Sequence, residues 1–182
     1  NCNPVHKVSI VSRGMAGGVT WSLPLEDKHL HSVSDFLDDI AMSLGGRTAE
    51  KVVFGDITTG AESDLKHANS LARRMITEYG MGKELSNQVF GGGESSTFLG
   101  RSLGEGRNYS DQTADKIDEE VARIIADASK KAEATILKNR AKLDEIAEKL
   151  IKEETIEGKA FAALFEEIDA KKAPAKSKKP VE

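Results

Sequence analysis

From Ser32 onward, apolar residues return every three or four positions, the spacing that gathers them on one face of an α-helix. A first helix, capped by Ser32 or Ser34, carries Phe36, Leu37, Ile40, Ala41 and Leu44. Beyond it, Ala49 and Glu50 are good helix formers, so Gly45-Gly46 reads either as a stop or as two glycines inside a longer helix. In the second case each costs about 1 kcal/mol relative to alanine, and close approach of another backbone is the usual reason for them. Thr58-Thr59-Gly60-Ala61-Glu62-Ser63-Asp64-Leu65 opens the next helix, with Leu65, Ala68, Ala72, Met75 or Ile76, and Tyr79 on its apolar face and Gly80-Met81-Gly82 at its end. Ser110 caps a long helix carrying Ala114, Ile117, Val121, Ile124 and Ala128 and continuing to Leu137. Another bears Leu143, Ile146, Ala147, Leu150 and Ile151, ends in a turn at Glu154-Thr155, and is followed by one with Phe161, Leu164, Phe165 and Ile168.

A period of two appears only at the start of the chain. His6, Val8 and Ile10 alternate with Lys7 and Ser9, and Gly17 to Leu23 is a second short run, so the pair predicts a hairpin around Arg13-Gly14-Met15-Ala16. Two strands alone are marginal, which requires that they pack on helices or pair with a strand missing from these residues. The fold class is therefore mainly α: a helical bundle with a small N-terminal β-hairpin. Residues 1–170 form one domain by length, and 171–182, Lys-rich and of low complexity, read as a disordered tail.

Composition narrows the functions. Aromatic residues are 5% of the 182, against a sandwich or barrel. Net charge is -4, yet the segment from Lys171 has five lysines and one glutamate, leaving -8 on the rest, which disfavours nucleic acid as a partner. Cys2 is the single cysteine, so no intrachain disulfide forms. No apolar run reaches the length needed to span a bilayer. The glycines of residues 82–107 invite a phosphate-loop reading, but Gly82-Lys83 is followed by Glu84 where a Walker loop needs Ser or Thr, so nucleotide binding within this chain is rejected.

Candidate chemistry centres on Asp64. At the edge of a buried stripe, an ionised carboxylate needs an arginine, a backbone donor or a metal as partner, because burying it unpaired costs several kcal/mol. The competing reading is local: Glu62, Ser63 and Asp64 lie in a first helical turn, where acids favour the positive dipole end and short polar residues such as Ser63 cap. The histidines His6, His29, His31 and His67 are the other candidate ligands, with His29 and His31 in a polar connection. Asp64 and His67, three apart on one helix, could share a metal. No Ser–His–Asp set and no activated cysteine stands out.

The words Gly45-Gly46-Arg47-Thr48-Ala49-Glu50, Val53-Phe54-Gly55, Thr58-Thr59-Gly60-Ala61-Glu62-Ser63-Asp64-Leu65, Ala72-Arg73-Arg74-Met75 and Glu78-Tyr79-Gly80-Met81 occur in this order. Phe98-Leu99-Gly100-Arg101, Asn108-Tyr109-Ser110 and Ile117-Asp118-Glu119-Glu120-Val121 follow them. Together they resemble the peptidase domain of the FtsH family, membrane-anchored, ATP-dependent zinc metalloproteases of the AAA class, over roughly residues 4 to 168. The resemblance implies that Asp64 is the third protein ligand of a catalytic Zn2+. The other two ligands and the general base would lie on a His-Glu-x-x-His helix, which these residues lack and which is expected just upstream of Asn3-Pro4-Val5-His6-Lys7; the chain is thus expected to be a fragment. With three ligands and an open fourth site, such a zinc lowers the pKa of bound water, the upstream glutamate takes the proton, and a peptide carbonyl is hydrolysed.

The resemblance implies further that ATP acts only through a separate upstream domain and that substrates are unfolded or membrane proteins. It also implies a homo-hexamer, an upstream membrane anchor, and a location at the cytoplasmic face of the membrane; the long helical seam fits a subunit interface of such a ring, and ordinary intramolecular packing explains it equally well. The metal-binding helix would be the neighbour that Gly45-Gly46 admits. Gly17, Gly18, Val19 and Thr20, on an edge strand, would hold an extended substrate peptide by backbone pairing. A purely structural hairpin is the alternative there. For the whole chain, the other readings are a non-catalytic oligomerisation module derived from such a protease, and an unrelated metal bundle using Asp64 and His67.

Overall fold

Ser32 sets the start of the first helix. Its hydroxyl accepts the Asp35 N–H at 3.2 Å and its own N–H donates to the Asp35 carboxylate at 2.8 Å, a reciprocal cap that begins α1, Val33–Ser43. The computed structural model describes residues 2–12, 17–24, 30–90 and 109–172, with side chains to 165. The expected hairpin turn at 13–16, His29, the Phe98-Leu99-Gly100-Arg101 word, Asn108, the Ile168 side chain and the tail from 173 lie outside these residues.

The chain forms two compact units, Asn1–Cys2 with His29–Lys138, and Asn3–Lys28 with Asn139–Glu182. In the first, α1 is followed by α2, Gly45–Phe54, with Leu44 alone between them in a helical conformation. Gly45 and Gly46 therefore open a helix across a one-residue joint. The close backbone approach expected beside them is not found among the described residues, since a Cβ added at either meets nothing within 4 Å. Gly55, at φ +73°, ends α2 in the left-handed region that glycine tolerates best. A short 3-10 turn, Thr59–Ala61, leads into α3, Glu62–Thr77, which stops two residues before Tyr79. Ser110 caps α4, Asp111–Lys138, through the Thr113 N–H.

These helices share one core. Ile40, Ala41 and Leu44 meet Ala68, Leu71, Ala72, Met75 and Ile76 of α3 and Ile117, Val121, Ile124 and Ala128 of α4. Met75 and Ile76 are both fully buried, and Leu71, which the three-and-four spacing passed over, is buried with them. Tyr79, expected on the buried face, is 40% exposed and stacks on Phe36 instead.

In the second unit, β1, Val5–Ser9, pairs antiparallel with β2, Val19–Ser22, as the period of two predicted. The partner strand, expected to be missing from these residues, is instead supplied by the chain itself from far downstream. After α5, Arg140–Glu153, Glu154 adopts φ +59° and the chain enters β3, Thr155–Glu157, where only a turn was expected. β3 pairs antiparallel with the other side of β1, so the sheet order is β2-β1-β3 and β2 is an edge. α6, Gly158–Lys172, then packs on β1 and β3 and runs two residues into the expected tail. The described part is thus mainly helical with one small antiparallel sheet. No described helix is long and apolar enough to cross a membrane.

Candidate metal centre

Asp64 lies in the first turn of α3, where the positive end of the helix dipole favours a carboxylate. It is exposed rather than held against the buried stripe. Among the described residues its carboxylate makes no hydrogen bond or ion pair, and the burial anticipated from helix periodicity is not what forms here. Asp64 lies four residues before the buried Ala68, on the same side of α3, but it sits in the first turn, at the end of the helix, and there it is exposed.

Two ties set the backbone around it. The Glu50 carboxylate accepts the Thr58 N–H at 2.9 Å and the Thr58 hydroxyl at 2.9 Å, and these two bonds hold its pKa below the usual value. The Thr58 hydroxyl in turn accepts the Gly60 N–H at 3.2 Å. Ser63, expected to cap, makes no hydrogen bond among the described residues; Thr58 does that work for the entry turn. Further along, His67 Nε2 faces Asp39 Oδ2 of α1 at 3.6 Å. Gly45-Gly46 falls between Asp39 and Glu50 along one segment, and Asp64 falls between Thr58 and His67 along the other.

Among the described residues of its own unit, no other candidate ligand is brought to Asp64. His67 lies 3.6 Å from Asp39, His31 stacks on Phe36 at 5.5 Å, and His6 belongs to β1 in the other unit. Among the described residues no group of three His, Cys, Asp or Glu side chains could hold a metal ion. By donor chemistry Asp64 fits a zinc as one oxygen ligand, and the described residues do not by themselves complete a site.

The substrate-holding candidates are separate. Val19 and Thr20 open β2, and Gly17 and Gly18 precede it; all four are exposed. Gly18 has a specific reason to be glycine, because a Cβ there would lie 2.7 Å from the Ser9 carbonyl oxygen of β1.

One residue was missed from the sequence. Glu120 is only 5% exposed, and its carboxylate accepts the N–H groups of Lys83 at 2.6 Å, Glu84 at 2.7 Å and Leu85 at 3.0 Å, with Arg123 at 3.3 Å. Its signal was available: it lies three residues after Ile117 and four before Ile124, on the apolar face of α4.

The model of Peptidase family M41 matches residues 1–164. The chain is 47% identical over 165 residues to the ATP-dependent zinc metalloprotease FtsH 1 of Thermoanaerobacter sp. (strain X514), covering 91% of this chain and 27% of that protein. It is 45% identical over 166 residues to the ATP-dependent zinc metalloprotease FtsH of Nitrosococcus oceani, with 91% and 26% covered. To the protein of that name from Kosmotoga olearia it is 48% identical over 165 residues, with 90% and 26% covered. The chain spans about a quarter of the length of the curated relatives it matches.

Proposed function

The chain belongs to peptidase family M41, and from that premise we propose that it is the C-terminal part of an ATP-dependent zinc metalloendopeptidase in which Asp64 supplies one ligand of the catalytic metal. The observation that carries the reading is the Asp64 carboxylate itself, exposed and without a partner among the described residues, at a helix start entered through a turn tied by the Glu50–Thr58 hydrogen bonds. A structural acid in a first helical turn commonly caps or pairs; this one is left available. The open side of Gly45 and Gly46 supports the same reading, because it leaves room for a further helix to approach that stretch. In this proposal that helix carries the His-Glu-x-x-His ligands and base, which are not among these residues.

When bound, zinc would supply the Lewis acidity that activates water and polarises a peptide carbonyl, and Asp64 would hold it through a carboxylate oxygen. The part played by this chain is to hold the third ligand in register. The Glu50–Thr58 bonds fix the turn entering α3, and Asp64 projects from the first helical turn that follows. The exposed edge of β2 is proposed to take an extended segment of a protein substrate by backbone pairing, with Gly17, Gly18, Val19 and Thr20 at its start. The complete protein is proposed to be a homo-hexamer anchored in a membrane by segments outside this chain, working at its cytoplasmic face on unfolded or membrane proteins with ATP hydrolysed in a separate domain.

The test is Asp64→Asn in the full-length enzyme. Zinc content, read by mass spectrometry after dialysis, is expected to fall severalfold and casein cleavage to be lost, while the melting curve stays within about 1 kcal/mol of wild type because the side chain is exposed. Retained zinc and retained cleavage would overturn the assignment.

A further inference from the structure

Among the described residues β2 forms an edge of the sheet. Two hydrogen bonds fix the direction of its peptide groups. The Ile10 N–H donates to the Glu154 carbonyl at 3.0 Å, so alternation along β1 turns Val8 toward β3 and turns Lys7 and Ser9 toward β2. The Leu23 N–H donates to the Pro4 carbonyl at 3.3 Å, so alternation along β2 turns Leu23, Trp21 and Val19 inward and leaves the N–H and C=O groups of Thr20 and Ser22 pointing outward. The register irregularity lies between Val5 and Lys7 of β1 and leaves the alternation of β2 intact.

Side chains alternate across the two faces in the same rhythm. Val19, Trp21 and Leu23 share one face, and Thr20 and Ser22 take the other. The apolar row is uncovered among the described residues: Trp21 is 52% and Leu23 50% exposed. On the same face, Trp21 stands opposite Lys7, which pairs with Glu157 at 3.1 Å, so the row is bordered by a neutralised ion pair.

We propose that β2 selects substrate segments in which large apolar residues alternate with small or polar ones, the pattern of a half-buried β-strand, and that Trp21 is the residue that recognises the apolar positions. The proposal rests on the edge-strand reading above and deepens it. A chain hydrogen-bonded to Thr20 and Ser22 places every second side chain beside Val19, Trp21 and Leu23, within the about 5 Å Cβ spacing at which cross-strand pairs interact. The residues between fall beside Thr20 and Ser22. A segment with its apolar residues in one block sets half of them on the polar face, and slipping by one residue only exchanges which half.

The test uses the full-length enzyme and two fluorogenic peptides of identical composition, one alternating and one blocked. Wild type is expected to favour the alternating peptide by about tenfold in kcat/KM. Trp21→Ala is expected to bring the ratio close to one by slowing the alternating peptide alone, and Trp21→Phe to preserve it, each with wild-type zinc content. Thr20→Pro, and peptides N-methylated along the backbone, interrogate the edge itself; the methylated peptides do so without altering the protein. If neither slows cleavage, the edge-strand reading falls and this inference with it. If both slow cleavage but Trp21→Ala leaves the ratio unchanged, or wild type shows no preference, the edge reading stands and the pattern selectivity is overturned.

Discussion

At the scale of single residues, Glu120 shows how a buried charge is made tolerable. Burial alone would raise its pKa, but the N–H groups of Lys83, Leu85 and Glu84 and the guanidinium of Arg123 outweigh that and hold it below the usual glutamate value. A depressed folded-state pKa contributes stability that is complete above the unfolded-state value and is lost as pH falls through the folded-state value. Glu120→Gln is therefore expected to destabilise by about 2–3 kcal/mol at neutral pH and to flatten the acid limb of the stability curve, as measured by urea denaturation across a pH series. Gly82→Ala checks the same contact from the other side, since its Cβ would lie 3.0 Å from both Glu120 carboxylate oxygens. Asp64 is the opposite case. Exposed and unpartnered among the described residues, it is expected to matter to metal retention and hardly at all to folding. Periodicity could place both acids on α-helices, but which carboxylate is buried depends on the loop at 83–85 folding back over α4, and no local pattern encodes that.

At the scale of elements, the helices were legible because amphipathic spacing and capping act within a few residues. Ser32 and Ser110 start α1 and α4 as read, and Gly55 ends α2. What was not legible came from pairing at a distance. β3 is three residues long and has no period to detect; it is a strand because β1 offers it a second edge. Close approach at the sheet is testable. A Cβ at Gly158 would lie 2.6 Å from the Val5 carbonyl oxygen, and one at Gly18 would lie 2.7 Å from that of Ser9, both backbone atoms that cannot swing aside. Gly158→Ala is expected to cost about 1–3 kcal/mol and to speed hydrogen exchange at Lys7 and Val8. In the helical unit, Ile124→Ala is expected to cost about 2–5 kcal/mol by thermal or urea unfolding, because Ile124 is 4% exposed among α1, α3 and α4 side chains.

At the scale of the whole molecule, the chain spans about a quarter of its relatives, and its described residues bring no three metal-binding side chains together. Zinc titration is thus expected to find no tight site in the 182-residue chain, while the full-length enzyme retains about one zinc per subunit through dialysis. Stoichiometric zinc on the short chain would mean that a ligand set exists without the His-Glu-x-x-His helix. The sequence by itself determined the helical class, the caps, the hairpin, and, through an ordered series of words, the family and Asp64 as the residue to examine. These depend on spacing and residue chemistry, which are local. Tertiary structure alone decided that β2 is an edge and β1 is not, that Glu120 is clamped, that His67 faces Asp39, and that Asp64 stands free of partners among the described residues. Each of those depends on which distant backbone arrives beside a residue, and a pattern of three, four or two along the chain carries no information about that arrival.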